Sequence, residues 1–188
     1  GKTQLLAGGM SHLSENCVLN IKNKSHSVTA NIVVPQGGAK GVIIAQGADI
    51  GGWSIYANDG KIKYCYNWGG FKHFMVGGTT TMSAGEHQVR MEFAYAGGGL
   101  GKGGKVTLYL DGNKDGEGEV GATLAMVFSA DDGCDVGKDG GSAVSPDYKP
   151  GDNAFNGKVK GVQISIAEDD GKHVVDPADA IRMAMARQ

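Results

Sequence analysis

Aspartate is concentrated in one stretch of the chain. Six of the fourteen aspartates fall within residues 131–152. Carboxylate oxygens at irregular loop spacing suit Ca²⁺, which accepts flexible coordination by carboxylates and carbonyls. The stretch therefore predicts a candidate calcium site with Asp131, Asp135 and Asp139 as ligands. The alternative interpretation is that aspartate and glycine build loops here, through hydrogen bonds from each carboxylate to nearby backbone N–H groups.

Aromatic residues cluster around one predicted hairpin. Trp53, Tyr66, Trp68 and Phe71 are close in sequence, and their flat apolar rings could stack on the faces of sugars. We take these four residues as a candidate glycan-binding platform. Core packing is the competing explanation, because alternate residues of a strand face the interior.

Other motifs are incomplete. Residues 99–104 satisfy the pattern GxGxxG, but a dinucleotide site needs a helix after the glycines, and residues 105–110 read as a strand. Residues 111–116 match the first half of a calcium loop, yet Ala122 stands where the bidentate acid is required. The five histidines show no HExxH pattern. These observations predict no catalytic residue.

Strand patterns dominate the chain and would position these side chains. In residues 26–34 apolar positions alternate with polar or small ones, which indicates a half-buried strand. Asp59-Gly60 and Asp111-Gly112 are typical of tight hairpin turns. Similar runs, ten to twelve in all, include residues 41–46, 53–57, 61–68, 71–76, 86–95, 105–110, 117–120 and 159–166. With no helical crossover between them, the pattern predicts an all-β, antiparallel β-sandwich.

One short helix is expected at the C-terminal end. Asp176-Pro177 places an N-cap and a proline at the first helical position, and residues 176–188 follow as a helical tail. A length of 188 residues fits one domain, and no linker divides the chain.

Composition excludes several classes of function. The formal net charge of −2 gives no basic footprint for nucleic acid. The chain contains no run of about 18 apolar residues, which a membrane-spanning helix would need. The three cysteines are odd in number and widely spaced, which favours reduced thiols over a disulfide framework.

The sequence also resembles a known family. The resemblance covers residues 11–166 and is carried by strings that run in order: NxxNKSHSVTA, GGAKGVIIAQG, GGWSIYANDGK, YCYNW, AGEHQVRMEFAYAGGGLGKGGKVTLYLDG and DVGKDGGSAVSPDY. Together they resemble the C-terminal region of a group of bacterial arylsulfatases. The resemblance implies a jelly-roll sandwich of the concanavalin A-like lectin and glucanase type, and a periplasmic or secreted location.

The resemblance implies a module without catalytic machinery. The family's nucleophile lies in a Cys/Ser-x-Pro-x-Arg motif, and none of Cys17, Cys65 and Cys134 has proline two residues on. We therefore expect a non-catalytic domain that supports a sulfatase catalytic domain, in cis or in trans, and shapes its substrate entrance. The alternative is a free-standing, lectin-like module that binds glycan directly.

Overall fold

The computed structural model describes residues 2–166 and is built almost entirely from strands. The strands are β1 (Lys2–Ala7), β2 (His26–Val34), β3 (Gly41–Ala48), β4 (Gly51–Asn58), β5 (Lys61–Trp68), β6 (Lys72–Gly77), β7 (Gly85–Tyr95), β8 (Lys102–Leu110), β9 (Asn113–Ala122), β10 (Cys134–Val136) and β11 (Lys158–Ile166). One short 3-10 helix spans Glu15–Cys17. Among residues 2–166, no helix has the length and apolar character needed to cross a membrane.

The strands form two antiparallel sheets. The six-stranded sheet has the order β1-β11-β2-β7-β8-β9, and the five-stranded sheet has the order β10-β3-β4-β5-β6. The predicted antiparallel β-sandwich is therefore confirmed. The expected helix at residues 176–188 lies outside the described residues.

The two sheets share one apolar core. On β2, Val28, Ala30 and Ile32 face inward and are essentially inaccessible to solvent, while their neighbours face out. Trp53 and Ile55 of β4 fill the core from the opposite sheet. This packing accounts for the period-two pattern, because successive side chains of a strand point to opposite faces.

The five-stranded sheet is buried on its outer face as well. Residues 137–157 fold back over it, and Tyr148 packs on an outer-face cluster that includes Tyr56 and Cys65. The hydroxyl of Tyr56 donates to Asp147 Oδ2 (2.6 Å), and that of Tyr148 donates to Asp139 Oδ2 (2.6 Å). Because both faces are covered, β3 and β4 read as nearly continuous apolar or small runs.

Both predicted hairpin turns are present. Asp59 and Gly60 have φ values of 52° and 72°, and Asp111 and Gly112 have values of 50° and 82°. Two successive positive φ angles define the turn that matches the twist of an antiparallel pair. The glycines after residue 96 lead into β8, which begins at Lys102, so a strand stands where a nucleotide-binding motif needs a helix. The sequence patterns missed β1 and β10.

Close backbone packing at Gly103 makes a test of the β8–β9 pairing. A Cβ at Gly103 would lie 2.0 Å from the Val120 carbonyl oxygen, so the backbone must shift. We expect Gly103→Ala to lower the free energy of unfolding by about 2–3 kcal/mol. Gly77→Ala is the matched control, because a Cβ there meets no atom within 4 Å. Chemical denaturation measures both, and equal stabilities of the two variants would contradict the close approach.

Candidate functional site

Three exposed apolar side chains meet at one end of the five-stranded sheet. Ile50 lies in the β3–β4 turn and is 64% exposed, while Trp68 and Phe71 border the β5–β6 turn at 38% and 88%. We call these three residues the aromatic tip. The rings of Trp68 and Phe71 lie 6.3 Å apart between centroids at an angle of 59°. They are not stacked on each other, so each retains ring surface for a ligand.

Two glycines fix the shape of the β5–β6 turn. Gly69 and Gly70 have φ values of 64° and 73°, a left-handed conformation that side chains with a Cβ rarely adopt. A Cβ on Gly70 would also lie 3.2 Å from the carbonyl oxygen of Asp49. The glycine pair thus allows the β5–β6 turn to approach the β3–β4 turn closely.

The buried amide of Asn67 ties these turns together. Its Nδ2 lies 2.9 Å from the carbonyl oxygen of Asp49 and 3.0 Å from that of Val144. Its Oδ1 accepts a hydrogen bond from the backbone N–H of Gly70 at 2.8 Å. One fully buried side chain therefore joins the two turns of the aromatic tip to the loop that covers the sheet.

A polar ridge borders the aromatic tip. Ser142 Oγ accepts a hydrogen bond from the backbone N–H of Asp49 (3.0 Å) and lies 3.1 Å from Asp49 Oδ1 and 2.9 Å from Asp132 Oδ2. The backbone N–H of Ser142 also donates to Asp132 Oδ2 (3.2 Å). We call Asp49, Asp132 and Ser142 the acidic ridge. The Ser142 hydroxyl has one hydrogen for two carboxylates, so the carboxylate oxygens of Asp49 and Asp132 can still accept hydrogen bonds from a ligand.

An open cleft of about 760 Å³ begins on the far side of the ridge. It lies between residues 12–22 and residues 126–133. Its polar lining includes Ser14, Asn16, Asn20, Ser129, Asp131 and Asp132. The volume lies in the range of small-molecule sites.

Glu15 organises the walls of the cleft. Its carboxylate accepts hydrogen bonds from the backbone N–H of Phe128 (3.0 Å) and of Ser129 (3.4 Å), and forms an ion pair with Lys22. The ammonium of Lys22 lies 4.5 Å from the centroid of the Phe128 ring, within the range of cation–π attraction. The ammonium of Lys22 is thus paired with Glu15 and the Phe128 ring within the protein.

The structure buries two of the four residues of the predicted aromatic platform and exposes the other two. Trp53 is fully buried, with its Nε1 donating to Gln46 Oε1 (3.0 Å), and Tyr66 is 5% exposed, with its hydroxyl accepting from the backbone N–H of Leu124 (2.7 Å). Both face the core because the alternation of β4 and β5 places them there, so they cannot stack on a sugar. Trp68 and Phe71 remain, since they lie where the strand ends. Sequence reasoning missed Ile50 and the ridge; the Gly69-Gly70 pair is the one signal that could have indicated this turn.

The three predicted calcium ligands are not brought together. Asp135 is buried, and its two carboxylate oxygens accept from the backbone N–H groups of His12 (2.8 Å) and Gly140 (2.9 Å). Asp139 is buried too and accepts from the Val144 N–H and the Tyr148 hydroxyl, whereas Asp131 is exposed at the cleft. Burial raises the pKa of Asp139, and these hydrogen bonds oppose that effect only in part. Across residues 2–166, no three acidic, histidine or cysteine side chains are placed to hold a metal ion.

The three cysteines are free. Burial raises the pKa of Cys65 and of Cys134 to about 12, so neither forms the thiolate that a nucleophile requires. Cys17 is exposed and adjoins the cleft residues Asn16 and Val18.

A smaller cleft of about 300 Å³ contains an electrostatic clamp. His87 Nδ1 lies 2.6 Å from Asp111 Oδ2, and His87 Nε2 lies 2.7 Å from the Ser83 carbonyl oxygen. Burial lowers the pKa of His87, but these hydrogen bonds and the Asp111 charge outweigh it, and the net shift is upward from 6.5. Burial likewise opposes, but does not prevent, a net lowering of the Asp111 pKa by the Gln88 N–H and by His87. The clamp joins the segment before β7 to the β8–β9 turn.

Comparisons with known proteins define the fold of this chain. No family model matches it, and no curated protein matches its sequence. It is similar to the carbohydrate-binding module CBM40 of an IT-sialidase from Ruminococcus gnavus, with a TM-score of 0.57, 10% identity and coverage of 92% of this chain and 95% of that one. The same module bound to α2,3-sialyllactose gives a TM-score of 0.55 at 11% identity, covering 92% and 94%.

A third similar structure is domain 4 of an extracellular arabinanase from Geobacillus stearothermophilus, in complex with arabinotriose. Its TM-score is 0.50 at 14% identity, with 98% of this chain and 82% of that chain covered. Identities this low establish the fold alone. The chain is a jelly-roll-like β-sandwich of the class found in carbohydrate-binding modules and lectin-like domains.

The expected relationship to arylsulfatases is wrong. No family model matches the chain, and the similar structures described above are carbohydrate-binding domains rather than parts of a sulfatase. The longest string behind the resemblance is the β7–β8 hairpin, whose alternation is required by any sheet that covers a core. The sulfatase catalytic domain expected as a partner loses its basis with it.

The role of Asn67 can be tested by removing its amide. Asn67→Ala leaves the buried Val144 carbonyl, the Asp49 carbonyl and the Gly70 N–H without their partner, so we expect the free energy of unfolding to fall by about 3 kcal/mol. Asn31→Ala is the control, because Asn31 is exposed on β2 and its side chain has no hydrogen bond within residues 2–166. Urea denaturation followed by tryptophan fluorescence measures the difference. A loss no greater than that of the control would contradict the anchoring role.

The clamp at His87 predicts a pH dependence of stability. The pKa of His87 is raised in the folded state, so its protonation stabilises the fold. This contribution is fully present below the unfolded pKa of 6.5 and is lost as the pH rises through the folded pKa. The Asp111 contribution is present above 3.8 and is lost as the pH falls through its lowered pKa. Wild type should therefore exceed His87→Gln in melting temperature by more at pH 5.5 than at pH 9. His73→Gln is the control, and a constant difference between wild type and His87→Gln would contradict the clamp.

Proposed function

We propose that this protein is a carbohydrate-binding module that holds a sugar on the aromatic tip. The observation that carries the proposal is the exposure of Phe71, which is 88% accessible to solvent. Phe71 forms a contiguous apolar patch with Trp68 and Ile50, and such patches, unlike single exposed side chains, mark contact sites. Gly69, Gly70 and Asn67 hold the turn in place, so the ring is presented by a defined scaffold.

The surroundings of the tip suit the chemistry of a sugar. A pyranose or furanose ring presents apolar C–H groups on its faces and hydroxyl groups around its rim. The rings of Trp68 and Phe71 offer apolar surface to a face, and the carboxylates of Asp49 and Asp132 offer acceptors to hydroxyl groups about the rim. Apolar surface beside a few fixed polar groups is the usual composition of a small-ligand site.

The fold gives independent support. The Ruminococcus gnavus module has been solved with sialyllactose, and the arabinanase domain with arabinotriose. Sugar recognition therefore occurs on this architecture in proteins that differ widely in sequence. Which sugar this chain binds depends on its own tip and ridge.

Truncation of the tip tests the proposal. Phe71→Ala and Trp68→Ala should each weaken binding of an oligosaccharide identified on a glycan array by about tenfold or more, because each removes apolar area that the sugar would cover. Leu5→Ala is the matched control: Leu5 is 75% exposed but lies on β1 of the other sheet. Affinities are measured by isothermal titration calorimetry.

The melting temperature separates a lost contact from a lost fold. Phe71→Ala should change it by no more than about 2 °C, because so exposed a ring contributes little to the core. If the array identifies no glycan, or if both tip variants bind as tightly as Leu5→Ala, the proposed function is wrong.

A further inference from the structure

We infer that the ligand is an oligosaccharide without acidic groups, which lies on the aromatic tip and crosses the acidic ridge into the cleft. This inference rests on the proposed function and specifies the class of sugar.

The tip, the ridge and the cleft form one continuous surface. Asp132 belongs to the ridge and also lines the cleft, while Asp49 belongs to the ridge and precedes Ile50 of the tip. A Cβ on Gly51 would lie 2.5 Å from Leu124 Cδ1 and 3.0 Å from the Phe128 carbonyl oxygen. The β3–β4 turn therefore packs directly against the segment that forms one wall of the cleft, and a ligand longer than one sugar would extend over both.

The polar lining of the cleft suits uncharged hydroxyl groups. Ser14 and Asn16 are exposed on one wall, and Asn20 is half-buried on the same side. Hydroxyl and amide groups donate and accept equally well, so they match the mixed donors and acceptors of sugar hydroxyls. No strong positive site is required for such a ligand.

The charge of the surface disfavours an acidic sugar. Asp49, Asp131 and Asp132 contribute three carboxylates along the ridge and the adjoining cleft. Of the nearby cations, Lys22 is neutralised by Glu15. Lys72 follows Phe71 at the tip, keeps its charge and lies over the Phe74 ring at 5.0 Å, so the three carboxylates outnumber it.

Lys24 donates a hydrogen bond to the carbonyl oxygen of the cleft residue Asn20 (3.3 Å). A carboxylate brought within about 5 Å of two ridge carboxylates would lose about tenfold in affinity at low salt. An amino sugar would gain instead.

The experiment compares matched neutral and acidic oligosaccharides. Calorimetric titrations use galactotriose against trigalacturonate and lactose against α2,3-sialyllactose, together with arabinotriose, arabinose and the glucosamine trimer, at low salt. We expect galactotriose and lactose each to bind at least tenfold more tightly than their acidic counterparts, and the glucosamine trimer to bind at least tenfold more tightly than trigalacturonate. Arabinotriose should bind at least tenfold more tightly than arabinose, because only the trisaccharide reaches the cleft.

The double variant Asp49→Asn, Asp132→Asn tests the ridge directly. It keeps the hydrogen-bonding shape and removes two charges, so the ratio of neutral to acidic affinity should fall to below about threefold. Asp152→Asn is the control, since Asp152 is exposed on the loop that covers the five-stranded sheet. Melting temperatures establish that all variants are folded.

The outcomes separate this inference from the proposed function. Binding of the neutral sugars that Phe71→Ala abolishes, with acidic sugars bound equally well or a ratio unchanged in the double variant, overturns the charge selectivity alone. Equal affinity for arabinose and arabinotriose overturns the extension into the cleft. Absence of binding by every sugar overturns the proposed function and this inference with it.

Discussion

The geometry of the candidate site depends on the hydrogen bonds of a single buried amide. Asn67 bonds to both turns of the aromatic tip and to the covering loop. Each of these segments exposes polar backbone groups that would be costly to bury without a partner. Because one side chain bonds to all three segments, it fixes the relative positions of Ile50, Phe71 and Ser142. The buried amide therefore sets where the exposed rings lie relative to the ridge carboxylates.

The covering loop illustrates how a segment rich in glycine and aspartate becomes ordered. Its carboxylates do not gather around a metal; they accept hydrogen bonds from backbone N–H groups and tyrosine hydroxyls. Asp139 and Asp147 bond to Tyr148 and Tyr56, whose rings lie on the outer face of the five-stranded sheet. The loop thereby covers the outer face of the sheet at Tyr56 and Cys65, while the aromatic tip stays exposed at one end of the sheet.

Period-two alternation predicted most of the fold, because a half-buried strand must alternate. Residues 26–34 and 61–68 coincide with β2 and β5. The edge strand β1 and the three-residue β10 escaped, since neither is long enough or regular enough to show the pattern. Family resemblance led to the wrong protein class because hairpin alternation is common to many sandwiches.

The candidate site was only partly predictable. Trp68 and Phe71 could be proposed from their type, but the burial of Trp53 and Tyr66 depends on which face of each strand meets the core. The ridge unites Asp49 with Ser142, residues 93 positions apart, and no local pattern indicates such a contact. The roles of Asp135 and Asp139 likewise depend on N–H groups that approach only after the chain has folded.

The difference between the three cysteines has a practical consequence. Two thiols are enclosed by the sandwich and resist deprotonation, whereas Cys17 stands in water next to the cleft wall. A maleimide dye applied to the native protein would therefore attach at one position among residues 2–166. Its emission would then report on events in the adjoining cleft, with the natural sequence left unaltered.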